Sequence, residues 1–93
     1  MKSGVELIAA ERKRQVNKEG WSAKHDASHT KGELAKAAAC YAVEHTDARV
    51  VERTDENAWP WDAKWWKPSN DPIKNLIKAG ALIAAEIDRF QNK

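Results

Sequence analysis

Apolar residues recur at helical spacing in three stretches of this chain. No run alternates apolar and polar positions over four or more residues with the β-branched residues that a strand favours. The last stretch is the clearest. Ile73, Leu76, Ile77, Gly80, Ile83, Ala84 and Ile87 form an unbroken stripe, widened by Ala79, Leu82 and Phe90, which predicts a central helix buried along that face. Asp71 suits the N-cap and Pro72 the first helical position. Gly80 at mid-helix costs about 1 kcal/mol against alanine, so a close approach of an alanine-bearing helix is expected there. The second stretch starts at Thr30, where Thr30-Lys31-Gly32-Glu33 matches a capping box. It carries Leu34, Ala37, Ala38, Tyr41 and Ala42 on one face and ends near His45 or Thr46. The first runs from about Ser3 to Lys18, with Val5, Ile8, Ala9, Arg12 and Val16 on one face and Glu6, Lys13 and Arg14 opposite. Gly20 stands where a terminating glycine is expected.

Between the second and third stretches the pattern changes. Residues Asp47 to Asn57 are polar and charged, with Ala48 to Glu52 able to carry a short extra turn; then four of the five tryptophans follow within Trp59–Trp66, with Pro60 inside that span and Pro68 just after it. Burying an aromatic side chain is worth about 1.5–3 kcal/mol, and proline keeps the segment out of helix and central strand. A rigid aromatic loop of this kind either plugs the core or forms a recognition surface. Trp59 and Trp65 or Trp66 are expected mainly to pack, with one or two rings left partly exposed. The fold predicted is all-α: three principal helices with a Trp/Pro-rich loop packed across them, in one domain over residues 1–93. The second and third helices should be antiparallel neighbours.

Bulk composition narrows the function classes. With 42% hydrophobic and 32% charged residues in 93, the chain reads as globular and soluble. A formal net charge of +2 is too small to argue for nucleic acid, which needs clustered Lys and Arg. The single cysteine, Cys40, excludes an internal disulfide, fits a reducing cytoplasm, and is expected to be a buried small hydrophobe. No apolar run approaches the roughly 18 residues of a membrane span, and Met1-Lys2-Ser3-Gly4 lacks a signal-peptide core. A cytoplasmic location is expected.

Three constellations are candidates for chemistry. His25, Asp26 and His29 combine imidazole and carboxylate, the donors of a divalent metal. Their stretch reads as a loop before a helix cap, so hydrogen bonds tying that loop down are the simpler account, with Trp21 as an anchor between the first two helices. Glu11, Glu33, Glu44, Glu86 and Asp88 lie on helices, but Mg²⁺-dependent nucleotide chemistry wants acids paired three or four positions apart. Only Glu44 has such a partner, Asp47, beyond the expected helix end. The third is the aromatic-basic loop: Trp61, Lys64, Trp65, Trp66 and Lys67 could stack a base and pair a phosphate, at about 1–3 kcal/mol per stacked base, or serve as the tryptophan anchors of a protein interface.

Several of these residues carry a likeness to known proteins. Glu11-Arg12 with Arg14-Gln15, Glu19-Gly20-Trp21, His25-Asp26 with His29, Gly32-Glu33-Leu34-Ala35, Ala37-Ala38 with Tyr41, Trp59-Pro60-Trp61, Trp66-Lys67-Pro68 and Lys78 to Ile83 with Ala85-Glu86-Ile87 and Arg89 resemble a family of short proteins from tailed phages and prophages. The resemblance spans nearly the whole chain and implies a phage accessory product acting in the host bacterial cytoplasm. A fainter similarity, in helix order and the placement of Glu11, Glu33 and Glu86, is to MazG-like all-α nucleotide pyrophosphohydrolases. These acids depart from that family's paired-acid motifs.

The expectation is therefore a non-enzymatic binding protein without a cofactor. It would engage a host protein, such as a defence component, or a nucleotide-like small molecule through Trp21, His25, Asp26, His29, Trp61, Lys64, Trp65, Trp66 and Lys67. The alternative is a Mg²⁺-dependent pyrophosphohydrolase using Glu11, Glu33 and Glu86. Alanine faces and surplus tryptophans also permit a homodimer.

Overall fold

The computed structural model describes residues 1–19, 28–46 and 59–91. The expected glycine terminator, Gly20, and the expected extra turn within Ala48 to Glu52 lie outside them. Among the described residues there are three α-helices, α1 (Gly4–Lys18), α2 (Glu33–Val43) and α3 (Pro72–Gln91), one short helical turn at Ala63–Trp65, and no strand. The chain is all-α, as its periodicity predicts. None of these helices is long and apolar enough to cross a membrane.

The helix starts follow local chemistry. The Glu6 amide donates to Ser3 Oγ at 3.2 Å and the Ser3 amide donates back to Glu6 Oε1 at 2.9 Å, a complete capping box. These bonds hold the Glu6 carboxyl below its ordinary pKa. The similar pattern Thr30-Lys31-Gly32-Glu33 does not close. Gly32 is the N-cap of α2, with φ 81° in the left-handed region, so Glu33 falls at the first helical position and not the third. Its Oε1 instead accepts from the Lys31 amide at 2.7 Å. At α3, Asp71 Oδ1 accepts from the Ile73 amide at 2.9 Å, and Pro72 begins the helix as expected.

α3 is central and packs against both α2 and α1. It runs antiparallel to α2: Glu33, at the start of α2, acts electrostatically on Arg89 near the end of α3, while Tyr41, near the end of α2, lies 5.4 Å from Lys78 Nζ. The core joins Leu34, Ala37, Ala38 and Tyr41 of α2 to Ala79, Leu82 and Ala85 of α3. Among the described residues, Leu34 and Leu82 are its only large aliphatic chains, and Trp59, Trp61 and Trp66 pack against it from the loop. Two small-residue faces let the helices approach closely, and the indoles fill the remaining volume at one side.

Three packing expectations are corrected. On α3, Ile73, Leu76, Ile83, Ile87 and Phe90 are all exposed, while Asn75, Ala79, Ala81, Leu82 and Ala85 are buried. The helix turns its alanines inward because close contact with α2 leaves no room for long side chains. On α1, Val5 and Ala9 are exposed, and the deepest residue is Gln15. Gly80 meets α1 and not α2: a methyl added there would lie 2.5 Å from Ile8 Cδ1 and 2.8 Å from Cγ1. Ile8 occupies the space that the missing side chain leaves.

Candidate aromatic-basic platform

Asp62 organises the tryptophan loop. Its side-chain Oδ1 accepts from the Lys64 amide at 3.1 Å, and its carbonyl accepts from the Trp65 amide at 3.0 Å, closing the turn Ala63–Trp65. The same carbonyl accepts from Trp59 Nε1 at 3.2 Å, which ties the first ring of the loop to its turn. Neighbouring rings then contact one another edge-on or tilted. Trp59 lies 5.5 Å from Trp61, 4.8 Å from Trp66 and 5.6 Å from Tyr41, and Tyr41 lies 4.7 Å from Trp66. Each such pair adds about 0.5–1.5 kcal/mol beyond burial.

The end of the loop is held from both helices. Tyr41 Oη accepts from the Lys67 amide at 3.3 Å, and Lys78 Nζ donates to the Lys67 carbonyl at 2.8 Å. Burial pushes the Tyr41 hydroxyl up and the Lys78 ammonium down from their ordinary values; Glu11 opposes the latter shift. Next along, Asn75 is only 1% exposed and makes two bonds to the Ser69 main chain, accepting at 2.7 Å and donating at 2.8 Å. Sequence pattern singles out neither Asp62 nor Asn75, and Lys78 enters only through the family likeness. Asp62 carries a legible signal, a turn-forming acid two residues before an amide it accepts from. Asn75 and Lys78 interrupt no pattern that would reveal them, since their partners lie in the loop.

The candidate residues separate into two groups. Trp61 and Trp66 are half-buried and lie against the core, and the Trp61 ring lies 5.2 Å from that of His29 with the planes tilted by 54°; His29 Nδ1 is 3.7 Å from the Glu33 carboxylate. Trp65 points outward, 47% exposed, with Lys64 Nζ 5.6 Å and Lys67 Nζ 5.7 Å from its ring centroid. Trp21, His25 and Asp26 lie outside the described residues. Cys40 is half-buried, and its thiol is raised first by burial and then by Glu44. A thiol so shifted is a poor nucleophile.

Glu11, Glu33, Glu86 and Asp88 are each turned to a separate partner. Glu11 takes two bonds from Arg14, at 2.7 and 2.9 Å, and one from Gln15 Nε2 at 3.0 Å. Burial raises the Glu11 carboxyl, but these bonds and the charges of Arg14 and Lys78 outweigh it and leave the net value below the ordinary one. Glu33 is likewise lowered, burial being outweighed by the backbone amides and His29. Glu86 accepts from Arg89 at 2.7 Å, and Asp88 lies 3.7 Å from Arg12. Among the described residues no three His, Cys, Asp or Glu side chains gather to hold a metal.

Among the described residues, an all-α fold buttresses an aromatic loop that exposes the Trp65 indole beside two ammonium groups. Comparison of the chain with protein-family models, with curated proteins and with solved structures returns no match.

Proposed function

We propose that this chain is a non-enzymatic binding protein that takes up a nucleotide-like anion at Trp65. The observation that carries the reading is the exposed indole flanked by Lys64 and Lys67 on a loop that is fixed by Asp62, Tyr41 and Lys78. Two ammonium groups beside one ring repel each other. A bound phosphate relieves that repulsion while a planar base stacks on the indole. The fixed backbone means little conformational entropy is lost on binding. A protein partner would need a footprint several times larger than one ring. The likeness to short tailed-phage proteins adds, within the same proposal, an infected bacterial cytoplasm as the setting.

The test is calorimetric titration with adenine and guanine mono-, di- and triphosphates at two salt concentrations. Wild type should bind with an affinity that falls as salt rises. Trp65→Ala should weaken binding about tenfold to a hundredfold, the loss of one stacked base at about 1–3 kcal/mol. Lys67→Ala should weaken binding and flatten its salt dependence. No saturable heat with any nucleotide, or equal binding by Trp65→Ala, would refute the proposal.

A further inference from the structure

Gln15 is the deepest residue of α1, a polar side chain only 2% exposed. Glu11 orients its amide: Oε2 accepts from Gln15 Nε2 at 3.0 Å, and the carboxylate is itself held by Arg14 at 2.7 and 2.9 Å. Turning the amide over would set oxygen against oxygen. Gln15 Oε1 is thereby fixed as a buried acceptor, and no donor among the described residues meets it. A buried donor is unspent as well. Tyr41, 6% exposed, accepts at Oη from the Lys67 amide at 3.3 Å, while its own hydroxyl proton goes to no acceptor among the described residues. Lys78 Nζ, 2.8 Å from the Lys67 carbonyl, has protons to spare. Glu11 acts electrostatically on both Tyr41 and Lys78, so these groups of α1, α2 and α3 share one polar junction behind the end of the loop. We infer that one internal water molecule sits at this junction, donating to Gln15 Oε1 and accepting from the Tyr41 hydroxyl.

The chemistry of the partners selects water. The junction offers one unmet acceptor and one unmet donor, so its occupant must both donate and accept. Water does this and keeps a second proton for the Glu11 carboxylate and a second lone pair for Lys78, within the two to four polar partners that an internal water commonly has. A cation is disfavoured, because Arg14, Lys67 and Lys78 outnumber Glu11 and Glu19 there. An anion would face the Glu11 carboxylate and the Gln15 oxygen together. A larger ligand cannot reach an oxygen that is closed to solvent. Leaving a buried acceptor unpaired also costs more than immobilising one water. The water ties α1 to the loop: Gln15 reaches Tyr41 through it, and Tyr41 holds the Lys67 amide. Gln15 is thus a positioning residue for the end of the tryptophan loop, which it does not need to touch.

A crystal structure of the full chain, at a resolution where internal waters are ordered, tests this directly. The expected result is an ordered peak about 2.7–3.0 Å from both Gln15 Oε1 and Tyr41 Oη. A protein donor on Gln15 Oε1, no peak there, or a peak that does not reach Tyr41 would overturn the inference. In solution, a cycle of Gln15→Met and Tyr41→Phe reads the same bridge through the unfolding equilibrium. Each single variant leaves the other group buried without its partner and should raise the unfolding constant about tenfold to a hundredfold. The double variant removes both groups, so its effect should be clearly smaller than the product of the two. An effect equal to that product would show that the two side chains share no partner, and the bridge would fall.

Discussion

Gly80→Ala distinguishes helix propensity from packing with a change of sign. In an isolated helix the substitution stabilises by about 1 kcal/mol. Here the new methyl would lie 2.5 Å from Ile8 Cδ1, 2.8 Å from Cγ1 and 3.2 Å from Cγ2. The terminal methyl can rotate aside, but Cγ1 and Cγ2 are fixed by an isoleucine χ1 that is stiff in a helix. Relief requires α1 to move off α3, and such overpacking costs about 1–3 kcal/mol. The net effect is a loss of about 1 kcal/mol, or about 4–8 °C in Tm for a domain of this size. In an Ile8→Ala background all three opposing atoms are gone, and the same substitution should gain about 1 kcal/mol. The coupling between the two sites is then about 2 kcal/mol. Urea unfolding followed by far-ultraviolet dichroism, at one fixed protein concentration because association would add to stability, measures all four corners. A higher midpoint for Gly80→Ala in the wild-type background would refute the packing of Ile8 over Gly80.

Two further outcomes follow from the anchors of the loop and of α1. Asn75→Ala removes both bonds to the Ser69 main chain at a buried position and should cost about 2–4 kcal/mol, read as an earlier unfolding midpoint together with red-shifted tryptophan emission. Glu11, whose folded pKa lies below the ordinary 4.5, contributes stability that is present above pH 4.5 and lost as pH falls through the lower folded value; Glu11→Gln should therefore lose its stability deficit against wild type on acidification, and a deficit that persists unchanged down the acid limb would contradict the assignment.

Much of the architecture is legible in the chain alone. Asp71-Pro72 marks the start of α3 because a carboxylate and a ring without an amide proton suit orphan helix donors wherever they stand. The alanine stripe of α2 is read correctly, since Leu34, Ala37, Ala38 and Tyr41 are its buried face. The packing role of Trp59 and Trp66 and the exposure of Trp65 also fall within what the loop composition suggests. The capping box is harder. Two segments carry the same pattern, and only Ser3 to Glu6 closes, because Gly32 adopts a left-handed conformation that starts α2 later.

Hydrophobic periodicity shows that α3 has two unlike faces, a large aliphatic one and a small alanine one, but it cannot say which turns inward. That choice depends on volume. Once the indoles of the loop occupy the space beside Tyr41, the gap between α2 and α3 accepts only alanines and Leu82, and the larger chains are left outside. The same holds for Gly80, whose neighbour is Ile8 of a helix more than sixty residues away, and for Lys78 and Asn75, whose bonds are to the loop. Caps, helices and turns arise from residues a few positions apart, so the sequence by itself determines them. Which face is covered, and which side chain clamps the platform, arises from contacts between distant segments competing for one small interior, and only the tertiary structure decides it.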